Sequence, residues 1–240
     1  MIKRTFLFAL TLFASAVLHA AGGHNQPLDK VKIDLADKAA MQRGARIFVT
    51  QCLACHSAAH MRYSRMGEDL DLTKELVKDQ LLYAAEKPGD PMRAMMAPEA
   101  AKAAFNAVPP DLTLTARSRS PDWFYTYMRS FYLDEKSRSG WNNVLIPNVA
   151  MPHVLSGWQG SQRAVLDSNG RIERLEIATP GSMSVEEYNA NMRDLTHFMV
   201  YLGEPAKLVR YQLGWYVLAF AVVFLIVAYL LKKEYWRDLH

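Results

Sequence analysis

Both cysteines of this chain stand in Cys52-Leu53-Ala54-Cys55-His56, a C-x-x-C pair with a histidine directly after it. That pentapeptide is the attachment signature of a c-type haem. Two thiols three residues apart each bond one vinyl group of a single porphyrin, and the adjacent His56 then lies beneath the iron as proximal ligand. A bare C-x-x-C also suits a redox dithiol or half of a zinc site. A tetrahedral structural zinc, however, needs two further Cys or His ligands at matched spacing, and the chain has no second pair. With both sulfurs consumed by thioether bonds, no structural disulfide remains.

The two ends of the chain say where such a haem would work. Lys3 and Arg4 precede an apolar run from Thr5 to Val17, and Ala20-Ala21-Gly22 offers small residues for cleavage. Residues 1–20 therefore read as a secretory signal peptide. Near the other end, Leu213 to Leu231 is nineteen residues without a charge, about 28 Å as a helix and matched to a bilayer core. A transmembrane helix is expected over 208–232. Trp215, Tyr216, Tyr235 and Trp236 suit the interfacial aromatic belts, and Lys232, Lys233 and Arg237 place the tail 233–240 in the cytoplasm. The haem domain, 21–207, then lies outside, on the exported side of that membrane.

The basic pI of about 9.0 does not describe that domain. Residues 21–207 hold 22 Lys plus Arg against 22 Asp plus Glu, so the positive excess sits in the signal peptide and the membrane flanks. No nucleic-acid signature is present, and docking of partners rests on local charge. There is no internal repeat, no low-complexity tract and no glycine-rich phosphate loop.

The fold class expected is mainly α: a monohaem cytochrome c-type domain with loop insertions and a small β-hairpin, followed by one C-terminal transmembrane helix. The pattern over 34–50 predicts a helix with Asp34 or Asp37 as N-cap, ending at the haem motif. Ser184 and Glu187 stand in capping-box spacing ahead of apolar residues recurring to Leu202, with Gly203 and Pro205 as stop signals. In monohaem cytochrome c domains two such helices cross beside the haem, and Gly44 would permit their close approach. Further helices are expected at 69–85, 97–107 and 121–131, the last with Trp123, Tyr127 and Phe131 on one side. A hairpin is expected over 163–177, turning at Asp167-Ser168-Asn169-Gly170.

The second iron ligand is harder to read. A distal methionine favours ferrous iron, whereas a vacant position suits gas binding or peroxide chemistry. Among twelve methionines, Met92, Met95 and Met96 lie in a proline-bounded loop, while Met192 and Met199 suit the core of the last helix. Met151 stands in Pro147-Asn148-Val149-Ala150-Met151-Pro152, a stiff apolar loop able to hold a thioether in place. His153 is a rival.

The order of C-x-x-C-H, Met61-Arg62-Tyr63, Ala107-Val108-Pro109-Pro110-Asp111-Leu112, Ala116-Arg117, Val149-Ala150-Met151-Pro152 and Gly203-Glu204-Pro205 before a single span resembles the cytochrome c1 family of the cytochrome bc1 complex. The resemblance covers essentially the whole mature chain. It implies one covalently attached haem c with His56 and Met151 as axial ligands. It also implies that Arg117, with Arg119 as the nearby alternative, pairs with a haem propionate, and that Pro109 and Pro110 wall the haem. The function implied is that of the electron-transfer subunit of ubiquinol-cytochrome c reductase, passing electrons from the Rieske iron-sulfur protein to a cytochrome c. Cytochrome b, membrane lipid and a dimeric complex complete the partners. Relative to mitochondrial members, the stretch 63–109 is short and 156–184 is long, which suggests a bacterial form. Two other readings are a tethered cytochrome of another respiratory or photosynthetic complex and a haem sensor or peroxidase with an open distal site.

Overall fold

The computed structural model describes residues 26–239; the signal peptide expected at 1–20 lies outside them. Helix α1, Lys38–Ile47, begins where the Asp37 carboxylate accepts the Ala40 amide, which satisfies one of the orphan donors of a first turn. It passes into one π-helical turn, Phe48–Cys52, that delivers the chain to the cysteine pair. The Thr50 hydroxyl donates to the Arg46 carbonyl at 2.8 Å, taking an oxygen that a regular α turn would offer to the Thr50 amide. After the haem motif come β1 (Ala58–Arg62), α2 (Tyr63–Asp69), α3 (Lys74–Gln80), β2 (Pro91–Met92) and α4 (Pro98–Phe105). They are followed by α5 (Thr115–Arg119), α6 (Pro121–Arg129), β3 (Phe131–Leu133), β4 (Trp141–Asn143), α7 (Ser156–Gln159), β5 (Gly160–Leu166) and β6 (Ile172–Pro180). Helix α8, Val185–Gly203, closes the domain, and α9, Lys207–Tyr235, is the long apolar helix.

Among the described residues, three two-stranded antiparallel sheets stand where the sequence suggests one hairpin. β1 pairs with β2, β3 with β4 in the register Phe131↔Asn143, and β5 with β6 from Gly160↔Pro180 to Leu166↔Ile172. The third is the expected hairpin, longer at both ends, and Gly170 takes the positive φ of its turn at 75°. The helix expected over 69–85 is a correction: the chain breaks at Asp71, whose φ is 55°, and restarts when Thr73 caps α3 through the Leu76 amide.

The core is organised by the crossing of α1 on α8. An ideal Cβ placed on Gly44 would lie 2.1 Å from the Asp194 carbonyl oxygen, so the two backbones touch where only glycine leaves room. Arg43 seals the same crossing with a two-point contact to the Asp194 carboxylate, at 2.6 and 3.2 Å. Along α8, Met192, Leu195, Phe198 and Met199 are fully buried, and each such side chain contributes about 1.5–3 kcal/mol by leaving water. The capping box expected at its start is present, with Ser184 and Glu187 exchanging bonds. Ahead of α1 the chain lies along α6 and α8, held by the Asp29 amide on Thr126, the Val31 amide on Asp122 and the Asp34 amide on His197 Nε2.

Helix α9 is 29 residues long, with a mean hydropathy of 2.4 over its most apolar window, and packs none of that window inside the protein. Its apolar side chains from Leu213 to Leu231 all face outward. No aqueous domain leaves nineteen consecutive apolar residues exposed, so this helix has the character of a single membrane span.

Candidate haem site

The π turn ends on Cys52, and the next turn folds tightly: the Cys55 and His56 amides both donate to the Cys52 carbonyl, at 3.0 and 2.8 Å. Cys52 is buried, Cys55 is partly exposed, and neither forms a disulfide. Burial pushes the Cys52 thiol up to about 12, with Cys55 adding to the shift, and burial raises the Cys55 thiol as well.

His56 is buried, and its Nδ1 lies 2.9 Å from the Pro110 carbonyl. A carbonyl can only accept, so Nδ1 carries the proton and donates it. Burial draws the imidazole below its usual range, against the opposing pull of the Pro110 carbonyl and of Asp111. The ring is therefore neutral at neutral pH, with its remaining lone pair on Nε2, as a metal-binding imidazole requires. The segment that holds it is itself pinned: Leu112 donates its amide to the Ser57 carbonyl, and the Asp111 carboxylate takes the amides of Ala59 and Thr113 and the Thr113 hydroxyl. Pro110 thus acts through its carbonyl oxygen, and Asp111 is a part of the site that sequence reading passed over.

Met151 is partly buried against the same core cluster that contains Cys52 and Leu53. Its sulfur accepts the Tyr127 hydroxyl at 3.5 Å. Between Phe105-Asn106, which lead into Pro109 and Pro110, and Asn148 to Pro152, which carry Met151, opens a cleft of about 540 Å³. Lys136 and Arg138 stand at its wall; neither has an ion-pair partner among the described residues.

The other methionines and His153 take the following positions. Met92 is buried as the β1–β2 partner of Ala58, and Met192 and Met199 are core residues of α8. Met95 is 60% exposed, and the amides of Met95 and Met96 donate to the Leu53 and Ala54 carbonyls, bracing the cysteine loop by backbone alone. His153 is 3% exposed with its ring stacked on Phe131 at 4.9 Å and 3°; burial draws it down to about 4, opposed by Gln159. Arg117 is exposed, and its Nη1 donates to the Gly203 carbonyl at the end of α8 at 3.3 Å. The rest of its fork has no acidic partner among the described residues. Arg119 lies over the Trp123 ring at 5.5 Å.

These residues fit a covalently held haem. Free thiols in C-x-x-C spacing, a neutral histidine whose Nδ1 is already satisfied and a soft thioether on a stiff loop are the donor set of a c-type centre. Residues 30–239 match the profile of the Cytochrome C1 family. This chain belongs to the cytochrome c1 family.

The chain is similar to cytochrome c1 of Allochromatium vinosum, 44% identical over 99% of this chain and 100% of that one. It is 46% identical to the protein named ammonia monooxygenase gamma subunit of Nitrosomonas europaea, over 98% of each chain. Mitochondrial cytochrome c1 of Kluyveromyces lactis is 25% identical over 98% of this chain and 84% of that protein. As a cytochrome c1, the chain is an electron-transfer protein of the haem c class, anchored by one apolar C-terminal helix.

Proposed function

We propose that this cytochrome c1 is the electron-transfer subunit of a ubiquinol-cytochrome c reductase, taking one electron from the Rieske iron-sulfur protein and giving it to a soluble or tethered cytochrome c. Residues 1–20 are the signal peptide, 21–207 the periplasmic haem domain, 208–232 the membrane span and 233–240 the cytoplasmic tail. Cys52 and Cys55 would hold one haem, the His56 Nε2 and the Met151 sulfur would be the donors to its iron, and Arg117 would offer its remaining donors to a propionate. The haem, when bound, supplies reversible one-electron chemistry. The chain's own work is to hold two axial donors in fixed positions and to keep the His56 lone pair available. Fixed ligation keeps reorganisation small between oxidation states.

The observation that supports this reading is the His56–Pro110 hydrogen bond, which leaves the Nε2 lone pair unused directly after two unpaired cysteines. The test is purification through a tag on this chain. Cytochrome b and the Rieske protein are expected in the same assembly, and their absence contradicts the partner assignment. A second reading, a tethered cytochrome serving another oxidising complex, draws on the name carried by the Nitrosomonas relative; under it, the tagged chain brings down subunits of that other complex instead.

A further inference from the structure

We infer, on the reading that Met151 ligates the iron, that Tyr127 is its positioning residue: the phenol holds the thioether by an O–H···S hydrogen bond and draws electron density from the sulfur, favouring the ferrous state. The Tyr127 hydroxyl lies 3.5 Å from the Met151 sulfur and makes no other hydrogen bond among the described residues. A thioether sulfur has two lone pairs and is a weak acceptor, so one pair can take the phenol proton while the other remains for a metal.

The phenol has little freedom to do anything else. Its ring stacks on Trp123 with centroids 5.0 Å apart and planes at 11°, and meets Phe131 edge-on at 5.1 Å and 72°. Trp123, Tyr127 and Phe131 are four residues apart in sequence, so α6 and its exit into β3 present them as one ladder. The same ladder reaches the far end of the methionine loop. His153 lies parallel to Phe131, and Trp141 of β4 closes edge-on against His153 at 5.1 Å and 76°. Met151-Pro152-His153 is thereby held at both ends, by its sulfur and by its imidazole, with a proline limiting the turn between them.

The sign of the electronic effect follows from the dipole. A phenol proton directed at the sulfur weakens its donation, which costs the electron-poor ferric ion more than the ferrous one. Removing the proton donor therefore favours ferric iron.

The test is Tyr127→Phe in the full-length, haem-loaded chain, which keeps the ring stack and deletes one oxygen. The near-infrared band of methionine-ligated ferric haem and the ferrous-to-ferric ratio at a fixed ambient potential are read on both proteins, together with the rate at which imidazole displaces the methionine. Expected is a retained band, a ferrous-to-ferric ratio lowered by about three- to fivefold, as the loss of one modest hydrogen bond to a ligand predicts, and faster displacement by imidazole. A band present in both proteins with an unchanged ratio and unchanged displacement overturns the role of Tyr127 alone. Absence of the band from the unsubstituted protein overturns the Met151 ligation, and this inference with it.

Discussion

His56 and Met151, the two ligands proposed, differ in how far sequence neighbours point to them. The cysteine pair announces His56, and the structure adds why its Nε2 is free. Met151 is one of twelve methionines; its stiff proline-bounded loop makes it a candidate, resemblance in motif order raises it above the others, and its hydrogen-bond partner Tyr127 lies 24 residues away on another element. Replacing Met151 with leucine should abolish the near-infrared band, lower the midpoint potential sharply and let carbon monoxide bind the reduced protein. Retention of the band would show that another residue is the ligand. Asp111 gives a prediction in pH. Its burial alone would raise its pKa, but the Thr113 hydroxyl and the Ala59 and Thr113 amides hold the carboxyl below the usual range. A group depressed on folding stabilises the protein above its unfolded pKa, and that stability is lost as pH falls through the folded value. Asp111→Asn should thus cost about 1 kcal/mol at neutral pH, a figure reduced for its partial exposure. The gap to the parent protein should narrow as pH falls below the ordinary aspartate range and through the lower folded value, as thermal melts across pH would record; a gap independent of pH would mean the charge plays no part.

Helices with strong end signals were the elements most readable from sequence. Ser184 and Glu187 form the capping box that their spacing implies, and Asp37 is the N-cap of α1. Ser184→Ala should lower stability by about 1 kcal/mol without altering the haem spectrum, and an unchanged melting temperature would count against the cap. The π turn was not readable, because it depends on a hydroxyl competing for a backbone carbonyl rather than on any periodicity of apolar residues. The β1–β2 and β3–β4 pairs were missed for a related reason: strands of two to five residues are too short to show alternation, and long-range pairing makes them. Gly44 is an element-scale residue, since it matters only where α1 meets α8. Gly44→Ala should cost about 2–3 kcal/mol, because its methyl meets backbone and not a movable side chain. Melting curves of the haem-loaded protein decide this, and a variant as stable as the parent would mean the helices can separate at little cost.

At the scale of the whole molecule, a domain of balanced charge is followed, after a short link whose Glu204 pairs with Arg210 of α9, by a helix with no buried face. A chain ending at residue 207 should leave the membrane fraction while keeping its haem spectrum; continued sedimentation with membranes would point to an anchor other than α9. The overall plan was largely legible because a C-x-x-C-H motif and an uncharged nineteen-residue run each carry their physics locally. The cleft beside Met151, with Lys136 and Arg138 on its wall, was not, since it forms from three stretches of loop and helix that meet only in the fold. The relay of electrons out of a quinol-oxidising complex, proposed above, is read from this chain's own haem in the complex purified through it. On adding ubiquinol the haem c spectrum should become ferrous, and on adding ferric cytochrome c it should return to ferric. A haem that stays ferric while cytochrome b is reduced would contradict the account.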